Sequence, residues 1–150
     1  MSAAPEFKHS DSWRMRGTDF MVEVYHYTVD QPREAMSWYG DGEGVHRWNV
    51  YAFIYPKHPH FAAFERGAGM RQEAGAILLF HGGVSLLEFP QYDDKITSVK
   101  VGCDYNHLHD DAYTRMEKRE HAGEIFEDAA VLFERLQRMS DDAKAAGAAA

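Results

Sequence analysis

AGAILLFHGGVSLLEFPQYDDKITSVKVGCDYNHLHDD, residues 74–111, is the stretch on which the reading of this chain turns. It carries the densest apolar run, the His81-Gly82-Gly83 triplet and a cluster of His and Asp. Residues 75–80 predict a strand that runs into His81. VSLLEF, residues 84–89, continues extended until Pro90, and Gln91–Lys95 is a polar turn. ITSVKVGCDY, residues 96–105, alternates: Val99, Val101, Cys103 and Tyr105 point one way, Lys100, Gly102 and Asp104 the other. Extended segments joined by connections this short fit hairpins and meanders rather than βαβ units.

Upstream, FMVEVYHYTV (20–29) is β-branched and aromatic and predicts a strand. WNVYAFIY (48–55) is apolar on both faces, as a central strand is, and Pro56 ends it. Residues 30–47 read as a glycine-rich loop with a helical turn around Arg33–Tyr39. Pro59 suits the first turn of a short helix in which Phe61 and Phe64 share a face, with His58 and His60 at its exposed start. Residues 1–16 are polar and predict an irregular arm, pinned at Trp13.

Downstream, Ile125, Ala129, Leu132, Phe133, Leu136 and Met139 recur at helical spacing. They predict a long helix within 115–139, with Thr114 and Glu117 matching a capping box. Residues 140–150 read as a flexible tail. The expectation is α+β: one domain over 17–139, a mostly antiparallel sheet of about five or six strands, and a long C-terminal helix packed on one face. An exposed sheet edge or apolar helix face would favour a homodimer.

Composition narrows the function classes. The 150 residues carry a net charge of −8, which sets nucleic-acid binding aside because a phosphate backbone calls for clustered cations. The single Cys103 permits no intrachain disulfide, as expected in a reducing cytoplasm. Residues 1–15 lack the apolar centre of a secretory leader, and the longest apolar run, Ala76–Phe80, is far too short to span a membrane.

The residues that can carry chemistry fall in the opening stretch. Gly82 and Gly83 allow a sharp turn or a close approach to a ligand, and their N–H groups can cradle an anion. A tight hairpin turn explains them equally well. Asp104, His107 and Asp110, with His109 and Asp111, lie where loops on a rigid sheet carry function. With His81 they offer a divalent-metal ligand set, His81, Asp104, His107 and Asp110, or a proton-transfer pair without metal. An acidic turn capping a helix is the plain alternative. Lys100 shares a strand face with Asp104 and can hold an anion there. Tyr25, Tyr27, Tyr51, Phe53 and Tyr55 read as sheet-face packing, or less simply as a stacking wall for a nucleobase. Cys103 reads as a small buried hydrophobe.

Three motifs in order, His58-Pro59, His81-Gly82-Gly83-Val84-Ser85 and Gly102-Cys103-Asp104-Tyr105-Asn106-His107-Leu108-His109-Asp110, resemble a family of small uncharacterised bacteriophage and prophage proteins. That family has an HP segment, an HGG triplet, a GxDxxHxxD pattern and a short terminal helix. The resemblance spans roughly residues 48–138. Residues 1–47 look like an extension, and Lys100-Val101 stands where the family has an aromatic pair. The resemblance singles out His81, Asp104, His107 and Asp110 and implies phage origin and expression in a host cytoplasm. It implies no activity. The leading expectation is therefore a phage accessory protein that counters host defence. It would bind a small, nucleotide-like ligand or a host protein through His81, Gly82, Gly83, Lys100, Asp104, His107 and Asp110. The alternatives are a metal-dependent hydrolase built on the His/Asp cluster and a structural phage protein.

Overall fold

The computed structural model describes residues 6–9, 11–30, 44–65, 73–107 and 110–149. Its centre is a six-stranded sheet, antiparallel throughout, in the order β1-β2-β3-β4-β8-β5. These strands are β1 (Glu6–His9), β2 (Ser12–Gly17), β3 (Phe20–Thr28), β4 (His46–Ile54), β8 (Val99–Asp104) and β5 (Leu86–Glu88). A separate two-stranded ribbon, β6 (Gln91–Tyr92) and β7 (Lys95–Ile96), lies between β5 and β8 in sequence. The helices are α1 (Phe61–Phe64) and the long C-terminal α2 (Gly123–Ala149). Among the described residues no helix is long and apolar enough to cross a membrane.

Strand alternation sorts the sheet into two faces. Trp13, Val22, Val24, Trp48, Val50, Ala52, Val99, Val101 and Cys103 are buried on one of them. α2 covers that face with Ile125, Ala129, Leu132, Phe133 and Leu136. These are residues of the predicted helical stripe. Phe20 meets Phe133 at a centroid separation of 5.0 Å, and each such fully buried side chain contributes roughly 1.5–3 kcal/mol. β4 is central, as its two apolar faces predict. Gly102 has to be glycine for β8 to lie so close, because an added Cβ would sit 2.3 Å from the Val50 carbonyl oxygen.

Four expectations are corrected. Residues 6–9 and 12–17 are strands rather than an irregular arm. Trp13 stacks on Trp48 with centroids 5.7 Å apart and is 8% exposed. The alternation Trp13-in, Arg14-out, Met15-in is present in the sequence but spans too few residues to stand out from the polar background. Residues 75–80 are not a strand: 73–76 are helical, a turn follows, and Leu79 takes a left-handed φ of 59°. A short apolar run carries no period of its own, and within Ala76–Phe80 Leu78 alone is buried while Ile77 and Leu79 are exposed. Third, α2 begins at Gly123, not near 115, and it continues to Ala149, so the expected tail is helical. Alanine, the strongest helix former, dominates its last turns. Thr114 caps nothing; in the 3-10 turn Tyr113–Arg115 its hydroxyl accepts the Gly44 N–H at 2.7 Å and donates to the Asp111 carbonyl at 2.6 Å. The helical turn expected at Arg33–Tyr39 lies outside the described residues.

The fourth correction concerns His58, which is buried rather than at an exposed helix start. Its Nδ1 accepts the His60 N–H at 3.1 Å and its Nε2 donates to the Leu136 carbonyl at 2.9 Å. The ring therefore ties α1 to the middle of α2. Burial lowers its pKa, and the Leu136 contact offsets only part of that. The unfolded chain thus takes up a proton that the folded chain resists. Stability is expected to fall as pH drops below about 6.5. Replacing His58 with Gln should flatten that slope in urea denaturation. Gly102→Ala should lower the unfolding free energy by about 1–3 kcal/mol in the same assay, since the obstructing atom is backbone.

Candidate functional site

Two segments converge at one end of the sheet. The first is the turn Phe80–Gly83, closed by the Gly83 N–H donating to the Phe80 carbonyl at 2.9 Å. Gly82 and Gly83 have φ values of 66° and 89°, which only glycine adopts without strain. The second is the turn that leaves β8, in which the Asp110 N–H donates to the His107 carbonyl at 2.9 Å. Register explains their meeting: β5 pairs with β8 from Leu86↔Gly102 to Glu88↔Lys100, so the chain before β5 and the chain after β8 emerge side by side. Gly82 has a second role. A Cβ there would lie 2.7 Å from the His107 ring, so only glycine admits that imidazole.

Asp110 is the hub. His81 Nε2 lies 2.9 and 2.8 Å from its two carboxylate oxygens. His107 donates its backbone N–H to Oδ2 at 2.9 Å and sets Nδ1 3.1 Å from the same oxygen. The Asp110 side chain is only 8% exposed, whereas His81 and His107 are 26% and 34% exposed. Burial pushes the Asp110 carboxyl upward, but the His107 N–H and the two imidazoles outweigh it and hold the pKa below the ordinary value. Asp104, more exposed, brings Oδ1 to 3.6 Å from His107 Nδ1.

The His81 imidazole rests on an aromatic floor. Tyr105 stacks on His81 with centroids 4.3 Å apart and planes 13° from parallel, and Tyr113 meets His81 edge-on at 5.5 Å. α2 anchors both: the Tyr105 hydroxyl donates to Asp128 at 2.6 Å, and the Tyr113 hydroxyl donates to Glu124 at 2.7 Å. Burial and the Asp128 acceptor raise Tyr105. The Glu124 acceptor and then burial push Tyr113 up to about 12. Burial likewise pushes the Cys103 thiol up to about 12, which leaves it a protonated core residue.

Of the residues the sequence singles out, His81, His107 and Asp110 come together: one ligand atom from each lies within 4.8 Å of the others. Asp104 stands beside them, and Gly82 and Gly83 shape the turn that carries His81. Lys100 does not join them. Its ammonium sits 4.4 Å from the Tyr51 ring centroid on the sheet face opposite α2, four residues along β8 from Asp104. By strand rise that is about 13 Å. His109 lies outside the described residues. Asp128 and Glu124 escaped the sequence reading, because nothing in a helix's polar face marks which carboxylates receive a tyrosine. No family model matches the chain, and neither a curated protein nor a solved structure matches it.

Two outcomes are expected. Gly82→Ala should displace the His107 ring and destabilise the fold by about 1–3 kcal/mol, seen as an altered imidazole NMR shift and a lower unfolding midpoint. Asp110 has a depressed pKa, so its stabilisation is complete above the ordinary carboxyl value of about 3.9 and fades as pH falls through the lower folded value. In Asp110→Asn that part of the acid-unfolding slope should vanish.

Proposed function

We propose that the protein is a metal-dependent hydrolase whose centre is a divalent ion held by His81, His107 and Asp110. The observation that supports this is convergence: two imidazole nitrogens and a buried carboxylate, from two segments far apart in sequence, lie within 4.8 Å of one another. Two His and one carboxylate suit Zn²⁺, Mn²⁺ or Fe²⁺, and this set leaves coordination positions open toward solvent. A divalent ion so placed would supply Lewis-acid activation of water. Asp104 Oδ1, 3.6 Å from His107 Nδ1, would be the nearest further oxygen donor to such an ion. Tyr105 fixes the plane of His81, and Asp128 fixes Tyr105, so the ligand set is supported from α2.

A second reading is binding without metal, and one observation favours it: the Asp110 carboxylate already accepts from both imidazoles and the His107 N–H. In that state His81 and His107 present their remaining ring edges to a small, nucleotide-like anion or to a host protein. The motif resemblance supports a phage accessory role in a host cytoplasm for either reading.

Elemental analysis of protein purified without chelator separates the two. Stoichiometric transition metal that disappears in His107→Ala supports the hydrolase, as does phosphodiester or peptide cleavage abolished by EDTA and restored by added metal. Protein that stays metal-free after incubation with Zn²⁺ and Mn²⁺ overturns it in favour of metal-free binding.

A further inference from the structure

The surroundings of the His/Asp cluster are negatively charged and rich in hydrogen-bond acceptors. Asp104 and Asp110 face His107, and Asp128 and Glu124 stand behind Tyr105 and Tyr113. Among the described residues no lysine or arginine pairs with any of these four carboxylates. Four carboxylates outweigh one divalent ion, so the site disfavours an anion such as a phosphate ester. Asp104 is open to solvent, its side chain 41% exposed, and two of its neighbours carry acceptors without donors. Asn49, its cross-strand partner, donates its amide to the Tyr51 hydroxyl at 2.6 Å, while Oδ1 is buried and unpaired. Asn106 donates its backbone N–H to Asp104 Oδ1 at 3.1 Å, and its own Oδ1 is likewise buried and unpaired. Buried acceptors are rarely left so, and two beside one carboxylate mark a place for a donor. Arg47 is turned elsewhere: its guanidinium donates to the Gly44 and His46 carbonyls at 2.8 and 2.9 Å. The same sheet face already seats a cation, since the Lys100 ammonium lies 4.4 Å from the Tyr51 ring centroid and 5.5 Å from that of Phe53. Tyr25, the other cross-strand partner of Asn49, adds an exposed ring.

We infer that the site takes a ligand with a protonated amine, held by the Asp104 carboxylate and the asparagine oxygens next to it, and that its substrate class is the free amino end of a peptide or aminoacyl amide. Amine binding stands on these acceptors alone; cleavage beside the amine rests on the metal-centre reading. Reach selects the amino end over a lysine side chain. Asp104 Oδ1 is 3.6 Å from His107 Nδ1, so an α-amine on Asp104 leaves its own carbonyl, two bonds away, at the cluster. A lysine ammonium would hold its carbonyl a whole side chain further off. Hydrolysis there adds water across the C–N bond: the oxygen stays on the carbonyl carbon, and a water proton goes to the leaving nitrogen.

The test titrates the full chain, with and without Zn²⁺, with leucinamide, N-acetyl-leucinamide and phenyl phosphate, read by backbone amide NMR. Leucinamide should shift Asn49, Asp104 and Asn106. N-acetyl-leucinamide keeps the side chain and loses the charge, so it should bind at least about tenfold more weakly, and phenyl phosphate no better. Leucinamide affinity should fall as pH rises past about 8, where a free α-amine gives up its proton. Asp104→Asn, which keeps an acceptor for the Asn106 N–H, should weaken leucinamide about tenfold and leave the acetylated compound unchanged. With Zn²⁺ bound, leucine nitroanilide should be cleaved and its N-acetyl form should not. Equal binding of the acetylated compound, tighter binding of phenyl phosphate, or no shift around Asp104 at tens of millimolar leucinamide would each overturn the inference. Metal uptake without preference for the free amine sinks this inference alone. Amine binding by protein that takes up no metal sinks the hydrolase reading alone.

Discussion

One-sided burial of the sheet governs the rest of the molecule. Val22, Val24, Val50, Ala52, Val99 and Val101 make a face that water would solvate poorly, and it needs a cover as long as the strands. α2 is that cover, and its position fixes others. His58 reaches the Leu136 carbonyl, Arg135 donates to the Leu78 carbonyl, and Gln137 and Ser140 hold the Thr18 turn between β2 and β3. Because α2 starts only at Gly123, Tyr105–His107 and Asp110–Ala122 lie outside both the sheet and α2. Asp110 and Tyr113, in that stretch, meet His81.

The cluster has an electrostatic logic of its own. A carboxylate as buried as Asp110 is costly unless donors surround it. Here the donors are two half-exposed imidazoles and a backbone N–H, so the charge is satisfied while the rings keep an edge in solvent. Tyr105 and Tyr113 extend the arrangement to α2, where Asp128 and Glu124 accept the hydrogen bonds their hydroxyls donate. Packing of α2 on the sheet and orientation of His81 are therefore parts of one constraint.

Legibility followed the length of each pattern. β3 and β8 are long or strictly alternating, and their faces are readable residue by residue, while β4 is readable as a central strand apolar on both faces. β2 has the same alternation over a few residues flanked by charge and was lost in it. Ala76–Phe80 misled because an apolar run without period fits a strand, a helix or a turn alike; the fold made it a helix end and a left-handed Leu79. In the site, the residue types were visible while the partnerships were not. His81 and Asp110 stand 29 positions apart, and Lys100, on the same strand face as Asp104, points to Tyr51 instead.

The sequence by itself determined the class of fold, the faces of the long strands, the apolar stripe of α2 and the short list of residues able to hold a proton or a metal. These depend on periodicity and side-chain chemistry, which are local. Tertiary structure alone decided that His81 and His107 share the Asp110 carboxylate, that Gly82 makes room for the His107 ring, and that His58 is buried. Each of those results from strand register and helix placement, which bring distant segments within hydrogen-bonding distance and are encoded by no single stretch of the chain.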